Sequence, residues 1–208
     1  MKIVKFDNLD LLYGHIYKEL KFIENIERNI IMLSGGNSPK PIFRFLEENN
    51  HYFNKINFVM SDERLVDQLH EDSNEGAFFR ECKSLKNNLI SLSDKHLKEK
   101  IKKHNEFALS ILGFNIDGHF ASIFPSDKNV SNVLNDDEIL FHVKSKQVSY
   151  ERYTLGLKCI QKSKKIILIS KSIEKTNFIR RSIDENLNLP INHLINSVET
   201  KDLKLLTV

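Results

Sequence analysis

FALSILGFNIDGHFASIFP, residues Phe107 to Pro125, is the stretch whose reading decides the fold. An apolar run with strand character ends at Gly113, a short polar turn delivers Asp117, Gly118 and His119, and a small-residue segment packs behind it. A titratable imidazole is thereby expected at the tip of a buried strand. Three other polar clusters also follow apolar runs: Ser34-Gly35-Gly36, Asp62-Glu63-Arg64 and Lys175. Four polar clusters after four strands predict one shared cleft, because in open parallel sheets ligands bind beyond the carboxyl ends of the strands.

Outward from that stretch, strand-like runs alternate with helical spacing. MKIVKF at Met1 to Phe6 reads as an edge strand, and Asn8 to Glu24 as a helix with Leu9, Leu12, Ile16 and Leu20 on one side. Asn29 to Leu33 is a short continuous apolar run, which fits a strand covered on both faces. Ser38 followed by Pro39 predicts a helix start, with the hydroxyl as cap and a helix to Asn49 turning Ile42, Phe43 and Leu46 inward. Ile56 to Met60 is a third strand, and Asp72-Ser73-Asn74 opens a short helix through Phe78 and Arg80. A short strand at Leu89-Ile90, a Lys-rich helix from Asp94, a strand at Ile139 to Val143 and a helix over Tyr153 to Gln161 follow. Lys165 to Ser170 is the clearest buried strand. Ser172 then caps a helix reaching about Ile183, Leu189-Pro190 breaks it, and a last strand ends near Leu205-Leu206. The pattern predicts an α/β fold, a mostly parallel sheet with helices on both faces, in a single domain over 1–208.

Composition narrows the function classes. The chain is 40% hydrophobic and 28% charged, ordinary for a folded protein, with a formal net charge of +3. So small and scattered an excess argues against a nucleic-acid surface, and the KEKIKK run at Lys98 to Lys103 reads as a solvated helix face. No apolar run approaches membrane-spanning length, and MKIVKFDNLDLLYG has no signal-like apolar segment, so a cytoplasmic protein without membrane partner is expected. Cys82 and Cys159 form no CxxC and have no neighbouring His, so neither a metal site nor a disulfide framework is expected. Monomer and dimer both remain open.

The turn at Ser34 to Pro39 joins glycines, which allow close backbone approach, to a helix N-terminus with unpaired N–H groups, and so makes an anion cradle. The dinucleotide fingerprint and the P-loop pattern are both absent. Lys175 falls in the first turn of its helix, where a cation is mildly unfavourable unless an anion sits beside it; alternatively it reaches out to water. The fork of Arg64 suits phosphate, or pairs with Asp62 and Glu63. Arg152 reads either as a second phosphate or carboxylate contact or as a salt-bridge partner. Histidine is the side-chain type in this set whose unperturbed titration falls near neutrality, which suits His119 to general acid or base work, while Asp117 either orients it or caps the turn. G-x-S-x-G is absent and neither cysteine adjoins a basic partner, so no activated nucleophile is indicated. Together these residues predict acid/base hydrolysis or isomerisation of a phosphorylated small molecule, without metal or cofactor.

LSGGNSPKP at Leu33 to Pro41, Ser61-Asp62-Glu63-Arg64, Asp72-Ser73-Asn74, and above all Leu112-Gly113 with DGHFASIFP at Asp117 to Pro125, resemble the 6-phosphogluconolactonases in sequence and in order. Arg152-Tyr153-Thr154-Leu155 is similar to that family's Arg-x-Thr-Leu, and Ser172 to Lys175 to its Gly-Glu-Glu-Lys segment. The resemblance implies a cofactor-free hydrolase that opens 6-phospho-D-glucono-1,5-lactone, on a Rossmann-like sheet of the sugar-phosphate isomerase kind. It implies His119 as the acid/base, Arg64 and Lys175 on the phosphate with the turn of Ser34, Gly35 and Gly36, and Arg152 lining the site. Phe120 stands where the family usually has Thr, and Asn115-Ile116 where it has Gly-Pro. A related amino-sugar-phosphate deaminase or isomerase also carries an Asp-Gly-His turn, but its string continues toward Ile-Ala-Phe-Asn-Glu-Pro. A non-catalytic sugar-phosphate sensor is the third reading.

Overall fold

The computed structural model describes residues 1–23, 29–104, 106–145, 148–196 and 202–208, so the expected helix end at Glu24 lies outside the described residues. Strand β1 (Lys2–Lys5) leads through α1 (Leu9–Lys21), β2 (Ile30–Leu33), α2 (Lys40–Glu48), α3 (Asn50–Phe53) and β3 (Asn57–Met60) to β4 (Asp62–Arg64). Next come α4 (Asn74–Glu81), a 3-10 segment at Lys83–Asn88, β5 (Leu89–Ile90), α5 (Leu97–Lys102), β6 (Leu109–Gly113) and α6 (Val130–Asn135). The chain closes with β7 (Leu140–Val143), β8 (Arg152–Leu155), α7 (Leu157–Gln161), β9 (Ile166–Ser170), α8 (Ile173–Asp184), α9 (Pro190–Ile195) and β10 (Leu203–Thr207).

Seven strands form a sheet in the order β1-β10-β9-β6-β2-β3-β5, and every neighbouring pair is parallel. Parallel strands need crossovers, and the crossovers cover both faces. Alternation along each strand then builds two cores. Ile30, Met32, Leu112, Ile166 and Leu168 pack with Phe178 and Ile179 of α8 and Ile191 and Leu194 of α9. Ile31, Leu33, Ile111 and Ile167 pack on the other side with Leu12 and Ile16 of α1 and Phe43 of α2. Each such aliphatic side chain contributes about 1.5–3 kcal/mol by leaving water. Every residue of β2 and β9 is buried, as continuous apolar runs require.

From β2 the chain proceeds to β3 and β5 on one side, whereas β6, β9 and β10 lie on the other. The direction of winding reverses between β2 and β6, and a crevice is expected beyond their carboxyl ends. Hydrogen bonds stitch those ends together: Ser34 N donates to Ile111 O at 2.9 Å, and Gly113 N donates to Ser34 Oγ at 3.0 Å.

Several expected elements differ. Leu9 is 40% exposed, so the buried stripe of α1 begins at Leu12. Pro39 occupies the N-cap of α2 without a side-chain cap bond, and Ser38 instead offers its carbonyl to Tyr13 Oη at 2.7 Å. The expected helix over Tyr153 to Gln161 is strand β8 up to Leu155, and only α7 is helical. Pairing decides this: β8 is the central strand of a separate antiparallel sheet, β4-β8-β7, bonded on both edges. Leu189-Pro190 does not merely end a helix, because Pro190 starts α9. Among the described residues no helix is long and apolar enough to cross a membrane.

Candidate active site

The turn carrying His119 is fixed both internally and from α9. Gly118 N donates to Asn115 O at 3.0 Å and Asn115 N to His119 O at 3.0 Å. Gly118 has φ +82°, and a Cβ there would lie 2.7 Å from Leu189 Cβ. Ile191 N donates to Gly118 O at 3.0 Å, so the start of α9 holds the turn by its backbone.

Asp117 does both things the sequence offered. Its Oδ1 accepts from His119 N at 3.1 Å, and its two oxygens lie 2.7 and 2.9 Å from His119 Nδ1. An ionised carboxylate only accepts, so Nδ1 carries the proton in this network and the neutral ring keeps Nε2 as an acceptor. Burial raises the Asp117 carboxyl, but the hydrogen bonds and charge of His119 outweigh it and hold the carboxyl below its usual range. The His119 ring tilts against Phe124 at 4.7 Å between centroids.

A cation wall faces the imidazole. Asp62 lies opposite Thr154 and Arg64 opposite Arg152 in the β4–β8 register, so these four side chains share one face of the ribbon. Two arginines directly opposed repel one another unless an anion lies between or beside them. Arg64 Nη1 donates to the carbonyl of Asp72, and its Nε is buried without a hydrogen-bond partner. Arg152 Nη1 lies 3.6 Å from Asp62 Oδ2, and its Nε is likewise buried and unpartnered. Burial pulls the Arg152 guanidinium below its usual range, with Asp62 opposing and Arg64 adding to that pull. The pairing of Arg64 with its acidic neighbours, one of the open readings, does not occur through side chains. Glu63 instead caps α4, accepting from Arg64 N (2.6 Å), Asn74 N (2.8 Å), Ser73 Oγ (3.0 Å) and Glu75 N (2.6 Å).

Lys175 sits in the first turn of α8, its N–H capped by Ser172 Oγ at 3.3 Å. Its Nζ donates to Phe114 O at 2.6 Å and lies 5.7 Å from the Phe114 ring centre. Burial lowers its pKa, against the pull of Asp117 and Glu174. Gly35 completes the wall: a Cβ there would lie 1.8 Å from Asn74 Oδ1, so only glycine admits the Asn74 amide, whose Nδ2 donates to Asp62 O at 2.8 Å.

Ser34, Gly35, Gly36, Arg64, His119, Arg152 and Lys175 line one cavity of about 220 Å³, and Asp117 stands behind His119. That volume is small beside the ~300–1,000 Å³ of drug-sized ligand clefts. Asp62, from the expected Asp62-Glu63-Arg64 cluster, also lines it, as do Asn74 and Phe114, to which the sequence pattern assigns no site role. Ser73-Asn74 was visible as a helix start, yet only the fold brings that start against the β2 turn. Cys82 and Cys159 are buried with thiols pushed up to about 12 by burial, which suits packing rather than nucleophilic chemistry.

Comparison with known proteins matches this architecture. The chain is 27% identical over 180 residues to a 6-phosphogluconolactonase of Helicobacter pylori, covering 80% of this chain and 78% of that one. Its fold matches the crystal structure of a 6-phosphogluconolactonase from Shewanella baltica at TM-score 0.86 and 19% identity, covering 100% of this chain and 98% of the other. A monomeric glucosamine-6-phosphate deaminase matches at TM-score 0.76 and 15% identity, with coverages of 100% and 97%. A family model described as glucosamine-6-phosphate isomerases/6-phosphogluconolactonase matches residues 15–203. With a winding reversal between β2 and β6, a small cationic cavity at that point and a family match over nearly its whole length, the chain belongs to the glucosamine-6-phosphate isomerase/6-phosphogluconolactonase family.

Proposed function

We propose that this chain hydrolyses 6-phospho-D-glucono-1,5-lactone to 6-phospho-D-gluconate, the lactonase step of the oxidative pentose phosphate pathway. The observation that carries the reading is the opposed Arg64–Arg152 pair, which shares a cavity with Lys175 and with a His119 whose Nδ1 is committed to Asp117. Arg64, Lys175 and the Ser34-Gly35-Gly36 turn hold the phosphate, and Arg152 adds a further contact to it. Fork-shaped guanidinium groups match phosphate oxygens, and glycine lets backbone N–H groups approach them.

Nε2 of His119 takes a proton from water as the water oxygen bonds to the lactone carbonyl carbon. The tetrahedral oxyanion then reforms the carbonyl and breaks the bond to the ring oxygen, which receives that proton from the imidazolium. Asp117 holds the ring in the tautomer this needs and stabilises the charge that forms on it. No covalent intermediate with the protein is required.

The DGHFASIFP string favours this over the amino-sugar reaction, although the fold accommodates both activities. The test offers fresh 6-phosphogluconolactone and glucosamine 6-phosphate separately to the purified protein, with spontaneous lactone hydrolysis subtracted. Acid production from the lactone and no ammonia from the amino sugar is the expected result. Ammonia release, or saturable 6-phosphogluconate binding without lactone turnover, overturns it.

A further inference from the structure

We infer that Ser122 and Asp62 are positioning residues that aim the Arg152 guanidinium into the cavity. The inference rests on the reading of the cavity as a phosphate-ester site, and it concerns residues to which that reading gives no role.

Ser122 is fully buried and Asp62 is 5% exposed. Ser122 Oγ donates to Asp62 Oδ2 at 2.6 Å and lies 3.3 Å from Arg152 Nη1, and Ser61 Oγ donates to Asp62 Oδ1 at 2.9 Å. Ser122 N in turn donates to Thr154 Oγ1 at 3.3 Å on β8, so the serine is fixed from the strand that carries Arg152. Ala121, which precedes it and lines the cavity, has φ +49°, a left-handed backbone that non-glycine residues adopt rarely. Strain of that kind persists only where the surroundings over-determine it. Here it places Ser122 into the wall beneath the arginine.

A long arginine side chain loses rotamer freedom when fixed. Facing Arg64, it would also swing away from the cavity if nothing held it. Asp62 and Ser122 hold one edge of the guanidinium at Nη1. The Phe124 ring, 5.6 Å from Arg152 Cζ, holds its face, and the same ring touches His119. One wall therefore sets the positions of both the arginine and the imidazole.

The test combines Ser122→Ala, Asp62→Asn, Arg152→Ala and the double variant Ser122→Ala/Arg152→Ala, each checked for cooperative melting. Ser122→Ala is expected to raise KM for the phosphorylated lactone about tenfold, with kcat changed less than about twofold. It is also expected to weaken calorimetric binding of 6-phosphogluconate about tenfold while leaving gluconate binding alone. In the Arg152→Ala background it adds no further loss. A loss in kcat at constant KM, equal weakening for 6-phosphogluconate and gluconate, or additive losses in the double variant overturns the inference. If Ser122→Ala melts out, Asp62→Asn carries the same comparison. Should the wild type bind 6-phosphogluconate without lactone turnover, the functional proposal fails and the binding arm alone decides on Ser122.

Discussion

At the scale of the residue, His119 and Asp117 form one unit because a single carboxylate fixes both the ring and the backbone N–H of the histidine. Under the proposed hydrolysis His119→Ala removes the acceptor for the water proton, and it is expected to lower kcat about 10²–10⁴-fold in a lactone assay corrected for spontaneous hydrolysis. Asp117→Asn keeps the size but offers Nδ1 an amide, and a smaller loss is expected from a ring free to turn. Linkage gives a second readout. The Asp117 carboxyl titrates below its usual range in the folded chain, so its contribution to stability is complete above the ordinary carboxylate value of 3.8. That contribution disappears as pH falls through the lower folded value. Urea unfolding between pH 5 and pH 3 should therefore show wild type losing more stability than Asp117→Asn.

At the scale of the element, the turn carrying His119 depends on a helix that the sequence did not disclose. Gly118 packs on Leu189 and accepts from Ile191 N, both at the start of α9. Gly118→Ala combines a left-handed φ with a 2.7 Å approach, and a loss of roughly 1–3 kcal/mol is expected from denaturant midpoints, with activity falling in parallel. Glu63→Gln turns one accepting oxygen of the α4 cap into a donor facing donors, and should destabilise by about 1–3 kcal/mol. Continuous apolar runs such as Ile166 to Ser170 were legible because strands buried on both faces tolerate few polar residues. Tyr153-Thr154-Leu155 was not legible as strand, since its conformation is decided by β4 and β7, distant in sequence. Proline at 190 reads equally as the end of one helix and the start of the next, and local sequence does not separate the two.

At the scale of the whole molecule, a formal charge of only +3 hides a strongly cationic cavity. Arg64, Arg152 and Lys175 converge on it from β4, β8 and α8, elements far apart in sequence and brought together at the winding reversal. Their residue types were readable as candidates, but the opposition of Arg64 to Arg152 is a matter of register between two strands and no local pattern encodes it. Attraction of a phosphorylated substrate to such a cavity weakens as the screening length falls from about 10 Å at 0.1 M salt toward about 3 Å at 1 M. Raising salt across that range should increase KM several-fold with much less change in kcat, and a KM independent of salt would argue against an anion-holding role for the three cations.

The most direct measurement of the central claim, that one imidazole and a separate group of cations divide chemistry from phosphate binding, is steady-state hydrolysis of 6-phosphogluconolactone by wild type, His119→Ala and Lys175→Ala. The account predicts that His119→Ala loses kcat about 10²–10⁴-fold at nearly unchanged KM, whereas Lys175→Ala raises KM about tenfold and keeps most of kcat. Wild-type kcat in His119→Ala, or an unchanged KM in Lys175→Ala, would contradict it.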